Sequence, residues 1–146
     1  MKSAGLEPTV TARDKAMKKM GTFRIGCTVV NVANRRRSVA VDKMLVDTGS
    51  DYTWLPAMLL EKIGVQREKK DIQLVMANGK TITRSAGYAI IRSDQFETVD
   101  EVVFAEPGDQ LLLGARTLEG FNARVDSKQK KLVAAGPILA AGNTRA

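Results

Sequence analysis

Leu45-Val46-Asp47-Thr48-Gly49-Ser50 runs an apolar strand straight into a carboxylate, a hydroxyl and a glycine. Polar groups at that depth need compensation, because burial raises the cost of charging a carboxylate and nearby donors must offset it. Gly49 has no Cβ, so backbone N–H groups can approach Asp47 closely. Thr48 and Ser50 add hydroxyls able to fix the carboxylate's orientation. Asp47 is therefore the candidate catalytic residue, with Thr48, Gly49 and Ser50 as its support.

On the N-terminal side, Phe23, Ile25, Cys27 and Val29 alternate with small or polar residues, the period of a half-buried strand. Asn31 to Arg37 is a polar turn, after which Val39, Val41 and Met44-Leu45-Val46 resume strand character, completing a hairpin. Arg35, Arg36 and Arg37 read as its solvated tip. Residues 1–20 are polar and Lys-rich without a period and are expected to form a flexible leader.

On the C-terminal side, Pro56 to Gly64 has proline in the first turn and glycine past the end, which predicts a short helix. Ile72, Leu74 and Met76 alternate, Asn78-Gly79 is a strong hairpin signal, and Thr81 to Ile91 is extended, which predicts a projecting β-hairpin. Phe96 to Phe104 is a further strand, followed by a Pro107-Gly108 turn, Leu111-Leu112-Leu113-Gly114 and a helix from about Arg116 to Phe121. Ala123–Asp126 and Lys131–Val133 flank a charged turn as a terminal hairpin. Strands dominate, so the expectation is an all-β, closed barrel-like domain over 21–136, with 137–146 as a tail.

A chain of 146 residues with 44% hydrophobic content suits one compact domain. Cys27 is the only cysteine, which excludes an intrachain disulfide and favours a reducing compartment. With neither a membrane-length apolar run nor a secretory signal pattern, a soluble, cytoplasmic protein is expected. Net charge is +7, but residues 1–20 carry five Lys or Arg against two acidic groups, so the patterned region is only mildly basic. Nucleic acid is not the expected partner, since no recognition motif or aromatic platform accompanies the charge. Gly79-Lys80-Thr81 resembles the end of a phosphate loop, yet Leu74 stands where that motif needs its first glycine. The chain has no histidine, which removes Ser-His and Cys-His dyads and His-bearing zinc sites. Carboxylate chemistry, a Ser-Lys arrangement or no catalysis is left, with no metal and no cofactor expected.

Two apolar residues before Asp47-Thr48-Gly49-Ser50, and the later Leu112-Leu113-Gly114 opening a helix, resemble the retropepsin-like aspartic peptidases over roughly residues 22–135. The resemblance implies that Leu112, Leu113 and Gly114 pack against the aspartate loop, and that Met76 to Thr81 form a flap tip over substrate. It makes Gly49, Asp51, Met76, Ala77, Asn78 and Gly79 the substrate-binding candidates, places Thr48 across a dimer axis, and pairs Asp51 with a basic residue, Arg116 being the candidate. The chain departs from the viral pattern at Ser50, at Ala115 where arginine is usual, and in lacking a glycine-rich flap tip. Water attack on an amide needs a base and an acid, and two carboxylates sharing one proton serve both roles. Only one Asp-Thr-Gly occurs here, so the second carboxylate is expected from Asp47 of another copy in a homodimer acting on polypeptide. The alternative expectation is a peptidase-like module that dimerises or binds peptide without cleaving it.

Overall fold

The computed structural model describes residues 23–142, so the expected leader and the last four residues of the tail lie outside the described residues. Nine strands and two short helices follow one another in the described region. They are β1 (Arg24–Val30), β2 (Ser38–Val46), β3 (Thr53–Pro56), α1 (Ala57–Lys62), β4 (Lys69–Val75), β5 (Thr81–Ser93), β6 (Phe96–Ala105), β7 (Leu112–Leu113), α2 (Ala115–Phe121), β8 (Ala123–Asp126) and β9 (Lys131–Ala134). The main sheet runs β1-β2-β7-β3-β6-β5-β4, and a further β1–β5 pairing closes it into a ring. β8 and β9 form a separate antiparallel pair. The all-β expectation holds.

Two bulges bend this sheet where simple alternation fails. Ile25 pairs Met44 and Cys27 pairs Val41, so Gly26 opposes both Asp42 and Lys43, with Lys43 at φ 60. The extra residue is why Val41 and Met44 are both buried although three positions apart. A second bulge lies between Lys69 and Ile72, with Asp71 at φ 58, and bends the hairpin of β4 and β5.

Alternation then divides consecutive apolar residues between two faces. Leu55, Val102, Phe104 and Leu113 enter the main core inside the ring. Their neighbours Trp54, Val103 and Leu112 form a smaller cluster on the opposite face, against which Leu74, Met76 and Ile82 of the β4–β5 hairpin pack. Cys27 lies in the main core, and burial pushes its thiol up to about 12, against a smaller opposing effect from a hydrogen bond with Ser93.

Candidate functional site

β2 ends directly before Asp47 and carries it to the start of the loop. β2 and β7 are parallel, Leu45 opposite Leu112 and Val46 opposite Leu113. The ladder continues into the loop, where Asp47 N–H donates to the Leu113 carbonyl at 2.9 Å. Gly49 N–H then donates to Asp47 Oδ1 at 2.9 Å, and Ser50 N–H donates to the Asp47 carbonyl at 3.1 Å. Asp47 is 2% exposed, whereas Thr48 and Gly49 are exposed at the loop tip.

The start of α2 holds the far side of this loop. The first N–H groups of a helix lack intrahelical acceptors. Here Ala115 N–H donates to the Ser50 carbonyl at 2.7 Å and Arg116 N–H to the Asp51 carbonyl at 3.1 Å. Ser50 Oγ turns back to the Tyr52 carbonyl at 3.0 Å, so it orients the loop backbone. Gly114 has to be glycine, because a Cβ there would lie 2.3 Å from the Tyr52 carbonyl oxygen.

Behind Gly114 runs a buried polar relay that sequence reading missed. Gly114 N–H donates to Thr53 Oγ1 at 2.9 Å, Thr53 Oγ1 meets Thr117 Oγ1, and Thr117 Oγ1 donates to Asp100 Oδ2 at 2.7 Å. Since Thr117 spends its proton on the carboxylate, Thr53 must donate to Thr117 while accepting from Gly114. Both threonines are fully buried. Threonine suits a strand or a turn equally well, so nothing in its spacing signalled a relay.

The β4–β5 hairpin overhangs the loop and encloses a groove of ≈ 630 Å³, within the size range of ligand sites. Its lining includes Gly49, Ser50, Asp51, Tyr52 and Trp54 on one side and Met76, Ala77 and Asn78 on the other. Leu112 contributes to the floor, while Leu113 lies in the main core and Gly114 is buried behind it. Gly79, at φ 86 in the hairpin turn, does not line the groove, nor does Asp47 itself. Trp54 both packs and faces the groove.

The expected Asp51–Arg116 ion pair is not formed. Arg116 instead turns to Glu101 of β6, Nη1 to Oε1 3.6 Å, and lies 5.0 Å over the Tyr52 ring. A buried carboxylate beside an aromatic face is a better seat for a guanidinium than an exposed loop acid. Lys69 Nζ stands 3.1 Å from Glu101 Oε2, an ion pair by distance but off hydrogen-bond geometry, since Oε2 has no hydrogen-bond partner among the described residues.

Asp109, in the β6–β7 loop, forms the groove's far wall and is gripped through both oxygens by Arg84 of β5, at 2.8 Å each. That grip holds the Asp109 carboxyl below its ordinary value, against the opposing effect of burial. Asp126, in Val125-Asp126-Ser127, accepts the Lys128 and Gln129 N–H groups, as a turn-capping aspartate does. Among the described residues no group of three or more His, Cys, Asp or Glu side chains could hold a metal ion, and no helix is long and apolar enough to cross a membrane.

A closed β-ring carrying one Asp-Thr-Gly loop, sewn to a Leu-Leu-Gly helix start and overhung by a hairpin, defines a single-lobed, retropepsin-like domain. The sequence profile of the family described as "gag-polyprotein putative aspartyl protease" matches residues 30–120, and the chain belongs to this aspartyl protease family. A search of curated proteins found no match.

Proposed function

We propose that the protein is an aspartic endopeptidase whose site is completed by a second copy, each contributing Asp47. The carrying observation is the position of Asp47 at the end of β2, fixed by the Leu113 carbonyl and the Gly49 N–H beside a groove able to take an extended chain. With two such loops face to face, one carboxylate takes the proton of a water while the other, protonated, donates to the scissile carbonyl oxygen. The proton then belongs to the pair rather than to either residue. Thr48, exposed at the loop tip, is the side chain that meets its counterpart across the two-fold axis. Gly49 offers its carbonyl to the substrate backbone, and Met76, Ala77 and Asn78 close over it.

One observation favours a second reading, a module that binds peptide or dimerises without cleaving. In a single chain the groove reaches Gly49 and Ser50 and stops short of Asp47. The two readings separate on a mixed peptide library at mildly acidic pH, with fragments identified by mass spectrometry. The peptidase reading expects cleavage by the wild type, and its loss in Asp47→Asn with the dimer retained. A wild-type dimer that leaves every peptide intact favours the binding module.

A further inference from the structure

The charged groups around the groove are unequally partnered. Its lining holds two carboxylates, Asp51 and Asp109, and no Lys or Arg. Asp109 is neutralised by the two-point grip of Arg84, with a second contact from Arg84 to Glu106 at 3.6 Å. Asp51 is exposed, and among the described residues no cationic side chain pairs with it.

The cation best placed to pair with Asp51 is held elsewhere. Arg116 is joined to Asp51 through the backbone, its N–H on the Asp51 carbonyl at 3.1 Å, yet its guanidinium is turned to Glu101 and the Tyr52 ring. Glu101 is 9% exposed, so releasing Arg116 would leave this buried carboxylate with one of its two cationic neighbours, Lys69. The Tyr52 ring lies under Arg116, and Tyr52 also lines the groove with Asp51. Arg116 is thereby kept off the groove, and Asp51 is presented there with its charge uncompensated. Apart from Asp51 and Asp109 the lining carries no charge: Trp54 and Leu112 below and Leu74 and Met76 on the hairpin are apolar, beside the neutral polar Ser50, Gln73, Asn78 and Gln110.

We infer that Asp51 selects a cationic side chain, lysine or arginine, in an otherwise apolar extended peptide bound along the groove. The inference rests on the reading above in so far as the groove takes polypeptide, but it does not require cleavage. Because Asp51 is exposed, the pair contributes modestly, about fivefold in affinity, the upper range for such ion pairs. Added salt weakens the preference.

The test is binding, measured by fluorescence anisotropy with the full chain carrying Asp47→Asn to prevent turnover. The probes are short labelled apolar peptides in which each position in turn is lysine or its neutral isostere norleucine. Lysine is expected to bind about fivefold more tightly at one position, and adding Asp51→Asn is expected to remove the difference. Asp51→Lys is expected to reverse the preference towards glutamate, with circular dichroism verifying the fold of each variant. Equal affinity for lysine and norleucine at every position overturns the proposal. So does a lysine preference that survives Asp51→Asn, or no binding of any peptide. Cleavage of the same peptides by the wild type is scored separately: a lysine preference without cleavage counts against the peptidase reading alone.

Discussion

The aspartate loop and the hairpin above it are held in opposite ways. Between Asp47 and Asp51 the backbone is bonded to two distant elements, through the Leu113 carbonyl on one side and the Ala115 and Arg116 N–H groups on the other. Among the described residues the hairpin tip bonds only to itself, with Met76 N–H to the Lys80 carbonyl, Gly79 N–H to the Met76 carbonyl and Lys80 N–H to Asn78 Oδ1. Below the tip, the hairpin rests on the Trp54–Leu112 cluster through Leu74, Met76 and Ile82. Long-range hydrogen bonds fix geometry, whereas local turns and a few apolar contacts leave a segment at the low end of local stability. The molecule thus pairs a fixed chemical edge with a cover that is cheap to lift.

That difference is easiest to break at Gly114. Gly114→Ala forces a Cβ against the Tyr52 carbonyl, and rigid backbone gives way poorly, so a loss of about 3 kcal/mol is expected. Urea titration measures it, and an unchanged midpoint would mean that the loop is not clamped. Thr117→Val is next. It strands the buried Thr53 hydroxyl and takes a donor from the half-buried Asp100 carboxylate, with an expected cost of about 2 kcal/mol in the same titration.

On the cover, Gly79→Ala meets open space and carries only the strain of positive φ, about 1 kcal/mol. Its larger signature is expected in peptide affinity. If it destabilises as much as Gly114→Ala, the hairpin is better anchored than its bonding implies.

The smallest effect is one of pH. The Arg84–Asp109 pair ties the hairpin's return strand to the opposite wall, and Asp109 titrates below its ordinary value. A depressed carboxyl stabilises the fold above its unfolded pKa, near 4, and loses that contribution as pH falls through the lower folded value. The difference in melting temperature between wild type and Asp109→Asn is therefore expected to stay level from about pH 7 to 5 and to close below about pH 4. A gap that closes already at pH 6 would assign the pair no depressed carboxyl.

Much of this was legible in the residues. Alternation placed the strands, Asn78-Gly79 placed the hairpin, and the family resemblance carried by Leu112-Leu113-Gly114 implied the partner of the aspartate loop. The two bulges were less visible, because an extra residue at Lys43 or Asp71 changes register without changing composition. The Thr53–Thr117–Asp100 relay joins positions as much as 64 apart in the chain, a distance at which local pattern carries no information. The Asp51–Arg116 expectation failed for a related reason. Glu101 stands within a strand of alternating and apolar residues, where nothing local showed that β6 would bring its buried carboxylate to Arg116.

The most direct measurement is the rate of peptide cleavage against protein concentration, with sedimentation giving the fraction of paired chains at each point. The half-site account expects the rate to rise with the square of concentration while monomers predominate and to follow the paired fraction thereafter. A rate strictly proportional to total protein in solutions that sediment as monomers would contradict it.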